Sequence, residues 1–104
     1  MPPDPRPPKG LTARSRRLWR ESTAALVFEP AELVVLEQLC RTVDLIAAAD
    51  ASIVRDGLLL QGRFGLRSNP ATTIRDRNVL LLARLARELG ITSLDEVARP
   101  AGRR

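Results

Sequence analysis

The sequence has no histidine, no tyrosine and a single cysteine, Cys40; its aromatic side chains are Trp19, Phe28 and Phe64. Each shortage removes a class of chemistry. Without histidine there can be no Ser-His-Asp triad, no Cys-His nucleophile pair and no Cys/His zinc finger. One cysteine cannot form a disulfide within the chain. Cys40 sits in an apolar helical pattern and reads as a small buried residue, which suits a reducing, cytoplasmic setting. With so few aromatics the core must be built from Leu, Val, Ile and Ala, which favours helices over a sheet sandwich. No apolar run reaches membrane-spanning length, and the opening MPPDPRPPKG has no hydrophobic signal core. The expectation is a soluble protein with no membrane association. The 104 residues suit one small domain with a modest core.

Positive charge is present and unevenly placed. The net charge is +5. The first twenty residues hold Arg6, Lys9, Arg14, Arg16, Arg17 and Arg20 against Asp4 alone, whereas basic and acidic residues balance over 21–104. A basic segment of this kind is an electrostatic footprint for a polyanion.

Residues 1–10 contain five of the eight prolines. They are expected to form an extended, mobile basic arm, because proline lacks an N–H and fixes its torsion. Thr12 can cap a helix running to about 27. Leu18, Trp19, Ala25 and Leu26 form its apolar side, and the arginines cover much of the rest. Glu29-Pro30 opens a second helix to about 55, with Pro at the favourable first position. Leu33, Leu36, Cys40, Val43 and Ala47 recur at three and four, and Val35, Leu39 and Ile46 widen the stripe. So broad a face is more than one neighbour needs, which points to a second layer. A neighbouring subunit is the expected cover for Leu33, Leu36, Leu39, Val43 and Ile46. Asp44 and Asp50 near this stripe are expected to meet arginines at its edge. Asn69-Pro70 caps and opens a third helix to about 89, with Ile74, Leu81, Leu85 and Leu89 on one face and Gly90 at the stop. Arg75 and Arg77 in its first turns need acidic partners, expected across a subunit contact. The tail, 93–104, is expected to be flexible, with at most a turn of helix around Leu94–Ala98. The fold class is therefore mainly α, with three helices and an insertion at about 58–68.

That insertion lies within GLLLQGRFGLRSNPA, residues 57–71. A phosphate-binding Walker loop needs Gly-Lys-Ser/Thr running into a helix, but here Leu, Arg and Leu follow the glycines. No βαβ unit surrounds it, so a dinucleotide fingerprint is also excluded. A short β-hairpin with Gly62-Arg63 at the centre of a type II′ turn is the expectation, with Gly65 weakening the second strand or marking a bulge.

The order of segments resembles a known family. A basic proline-rich arm is followed by LTARSRRLWRE with Trp19, EPAELVVLEQLC, DGLLLQGRFGLRSNPA and TTIRDRNVLLLARLARELGIT. This succession, over roughly residues 8–95, is similar to the small subunits of terminases from tailed double-stranded-DNA phages and prophages. The resemblance implies a non-enzymatic protein, without catalytic residues, metal or cofactor. It would bind packaging-site DNA, bring in and regulate the large ATPase/nuclease subunit, and assemble as a homo-oligomeric ring in the cytoplasm of a bacterial host. Arginine neutralises phosphate, often bidentately. Candidate DNA contacts are accordingly Lys9, Arg14, Arg16, Arg17 and Arg20, with Arg63 and Arg67 on the insertion as secondary ones. Two other readings compete. A small transcriptional regulator or antitoxin would need a helix-turn-helix, for which the second helix is long and apolar. A protein-only adaptor would use the arm on an acidic partner.

Overall fold

The computed structural model describes residues 5–91. The expected tail and the first four residues of the arm lie outside that range. Helix α1 spans Ala13–Ala25, α2 Pro30–Asp56 and α3 Pro70–Leu89; strands β1, Leu59–Gly62, and β2, Gly65–Ser68, form an antiparallel hairpin between α2 and α3. The fold is mainly α, in the expected order.

The helix ends follow from local chemistry. Thr12 Oγ1 accepts the Ser15 amide at 3.3 Å, satisfying one of the amides orphaned at a helix start. At α2, the Glu32 carboxylate accepts the Glu29 amide at 2.8 Å, one arm of a capping box. Asn69 caps α3 by accepting the Ala71 amide at 3.0 Å. Gly90 closes α3 in the left-handed conformation, at φ 72° and ψ 22°. Gly57 ends α2 differently: φ is 88° but ψ is 172°, so the chain leaves extended and enters the hairpin directly.

The hairpin turn differs from expectation by one residue. Gly62 pairs with Gly65, which leaves Arg63-Phe64 at the centre. Both have negative φ, which excludes a type II′ turn, and the positive φ falls instead on Gly65, at 114°. Either glycine could have relieved the turn; the strand register chose the second.

The core lies at one end of the molecule. Leu36, Leu39 and Cys40 are fully buried, joined by Leu18 and Trp19 from α1 and by Leu82, Ala86 and Leu89 from α3. The broad stripe of α2 is thereby explained within one chain: α1 and α3 together cover it, so Leu36, Leu39, Val43 and Ile46 are buried without a second subunit, and Leu33 packs against the same cluster. Arg75 likewise finds its partner at home, bonding Asp50 at 2.7 Å, while Arg77 is exposed.

Beyond Ile46, α3 is the chief neighbour of α2 among the described residues. This half is held by small residues and polar clips. Ala49 and Ala71 are buried, and buried Asn69 donates to the Gly57 carbonyl at 2.9 Å while its own amide bonds Leu58 O at 2.8 Å. Asn69 thus joins the hairpin base to the start of α3.

Candidate nucleic-acid interface

Helix α1 divides by periodicity. At about 100° per residue, Ser15, Leu18, Trp19, Ser22 and Thr23 share the buried face, Arg17 and Arg20 turn away from it, and Arg16 stands on its flank. All three arginines are exposed, and Arg14 lies at the margin, half-buried. Arg16 donates to the Leu11 carbonyl at 3.0 Å. Arg17 and Arg20 have no ion-pair partner among the described residues.

Asp44 sets the orientation of this face. From the flank of α2 it accepts hydrogen bonds from the Thr12 amide at 3.1 Å, Thr12 Oγ1 at 2.6 Å and Ser15 Oγ at 2.9 Å. The expectation that Asp44 would meet an arginine is therefore corrected. Its carboxylate sits at the N-terminus of α1, where the helix dipole and the first amides favour negative charge. No acidic residue lies in the first turn of α1 itself, so the anion comes from 32 residues away. Asp50 does meet an arginine, Arg75.

The described part of the arm is anchored. Trp19 Nε1 donates to the Pro5 carbonyl at 2.9 Å, and Arg41 Nη2 to the Lys9 carbonyl at 3.2 Å. These two bonds lay residues 5–10 beside α1 and α2, leaving the side chains of Arg6 and Lys9 exposed. Trp19 is a core residue, with its ring buried and its indole N–H tied to the arm. Sequence reasoning did not single out Arg6, next to the anchored Pro5, or Arg41, which holds the Lys9 carbonyl. Arg6 was visible only as one more charge in the arm. Arg41, besides holding the Lys9 carbonyl, pairs with Glu37 four residues back at 2.9 Å.

Arg63 and Arg67 are exposed on the hairpin, beyond the C-terminal end of α2. The α1 N-terminus is pinned at Asp44, about 18 Å back along that helix. The structure therefore groups Lys9 with the α1 arginines and sets the two hairpin arginines apart. Cys40 lies beneath α1 with its thiol pushed up to about 12, first by burial and then by the nearby Asp44 carboxylate; it is a packing residue.

What the fold and this face define is a small α-helical scaffold presenting a cationic helix held in place by a long-range carboxylate. The family profile described as "Phage terminase, small subunit" matches residues 13–98, and the chain belongs to that family. The match takes in all three helices and the hairpin and leaves out the arm with Lys9. No curated protein and no solved structure matches the chain. No described helix is long and apolar enough to cross a membrane. The general role is that of a terminase small subunit.

Proposed function

We propose that this chain binds double-stranded DNA at the packaging site through Lys9, Arg14, Arg16, Arg17 and Arg20, and brings in and regulates the large ATPase/nuclease subunit without catalysis of its own. It works as a homo-oligomer, of ring form, in the bacterial host cytoplasm. The observation that supports this reading is the exposed set Arg16, Arg17 and Arg20, held by the Asp44 lock on Thr12 and Ser15. A regulator with a recognition helix is disfavoured, since the apolar stripe of α2 is spent on α1 and α3.

Phosphate contacts release counterions, so affinity falls with salt at a log–log slope of about 0.9 per neutralised phosphate. A copy holds only a few such contacts; an oligomer repeats them and gains avidity. Binding of duplex DNA by the wild-type chain and by R16A/R17A/R20A should be compared across a salt series, with the oligomeric state recorded alongside. The variant should keep its assembly, bind more weakly at low salt and lose up to about 3 from the slope. Unchanged affinity and slope would remove these arginines from the interface.

A further inference from the structure

The hairpin stands outside the core. Its strands pair chiefly with each other, yet Leu58, Leu59, Phe64 and Leu66 are 63, 58, 96 and 67 % exposed. A two-stranded hairpin with neither face packed is marginal in water, and this one displays four large apolar side chains. Between Gly57 and Ile74 the only charged residues are Arg63 and Arg67, neither with an ion-pair partner among the described residues.

The other end of α2 has the complementary character. Leu26 and Val27, in the turn from α1, are 41 and 101 % exposed. From Glu21 to Cys40 every charged residue is acidic: Glu21, Glu29, Glu32 and Glu37. Glu37 is taken by Arg41, and Glu29 and Glu32 accept each other's backbone amides in the capping box, but none of Glu21, Glu29 and Glu32 has a cationic partner among the described residues. The two ends are separated by the 27 residues of α2, about 40 Å, so they cannot meet within one chain.

We propose that the hairpin of one copy docks on the Leu26–Val27 turn of the next, with Arg63 and Arg67 beside Glu21 and Glu29. Apolar surface is removed from water on both sides, and the charges complement each other. Hairpin against hairpin would bring two arginine pairs together, and DNA would leave four apolar side chains against phosphate. Because the two surfaces differ, the contact is heterologous and repeats from copy to copy, closing into a ring when the rotation permits. The proposal deepens the reading of a homo-oligomer by naming its surfaces. It is tested without DNA or large subunit, so its failure is separate from failure of DNA binding.

The experiment is native mass spectrometry of the full chain at near-physiological salt. Wild type should give a discrete oligomer larger than a dimer. L59E/L66E, with a spoiled hairpin, and V27E, with a spoiled turn, should each be monomeric and keep wild-type helix content, since all three positions are exposed. Mixed in equal amounts they should form a one-to-one dimer, because the mixture holds one intact hairpin and one intact turn. R63E/R67E should also dissociate, and adding E21R/E29R to the same chain should restore assembly. A monomeric wild type, assembly that survives in the variants, or a mixture that stays monomeric would overturn the proposal. Should a glutamate variant lose helix content, the charge exchange decides alone.

Discussion

The two halves of α2 live in different surroundings. From Leu36 to Ile46 the helix is enclosed by α1 and the second half of α3, with Leu36, Leu39 and Cys40 fully buried. From Ala49 to Asp56 its chief neighbour among the described residues is the start of α3, and Val54 is 86 % exposed. The enclosed half is stabilised by apolar volume. The projecting half is held by small side chains, the Asp50–Arg75 pair and the Asn69 clip. The core therefore makes the fold, while the projecting half and its hairpin carry exposed apolar side chains among the described residues.

The sharpest way to break this comparison is truncation on each side. L36A should lower unfolding free energy by about 2–5 kcal/mol, since a fully buried leucine leaves a cavity. L66A, measured where the chain is monomeric, should stay within about 0.5 kcal/mol of wild type. Equal losses in urea melts would show that the two halves are not distinct.

Next in size is the lock on α1. D44A strips Thr12 and Ser15 of a charged acceptor and should cost about 1.5–3 kcal/mol. Amide exchange should quicken first in the α1 N-terminal turn. Protection unchanged there would mean that Thr12 alone holds the cap.

N69A tests the other half. Losing a cap and leaving the Gly57 carbonyl without its partner should cost about 1–2 kcal/mol, with exchange rising in the hairpin and first turn of α3 and not near Leu39. The Asp50–Arg75 pair is more than a third exposed on both sides, so a double-mutant cycle should return under about 1 kcal/mol.

The last prediction concerns pH. Cys40 is raised from an ordinary 9.0 to about 12 by burial first. The folded chain keeps the thiol proton that the unfolded chain releases, so this contribution to stability is complete below pH 9 and is lost between 9 and about 12. Alkylation at pH 8 should then follow the rate of opening, and C40A should lose the alkaline decline. Fast modification of the native protein would contradict burial.

Much of this was legible before folding because it is local. Thr12, Asn69-Pro70 and Gly90 mark helix ends through bonds spanning two to five residues. The α1 arginines could be picked out because charge and the 3.6-residue period lie in the chain itself. The hairpin was legible as an element but not in its turn, since two glycines compete and strand pairing selects between them. The breadth of the α2 stripe was visible, but not what covers it: a sequence shows that a surface is apolar without saying whose side chains meet it.

The sequence by itself determined three helices, their caps and a basic first fifth, because torsional preference, capping and periodicity act over a few residues. Tertiary structure alone decided that Asp44 would hold α1 rather than meet an arginine, that Pro5 and Lys9 would tie down the arm, and that Leu36 and Leu39 would be spent inside one chain. Those outcomes depend on residues distant along the chain being brought within bonding distance, and only the packing of α1 and α3 on α2 sets those distances.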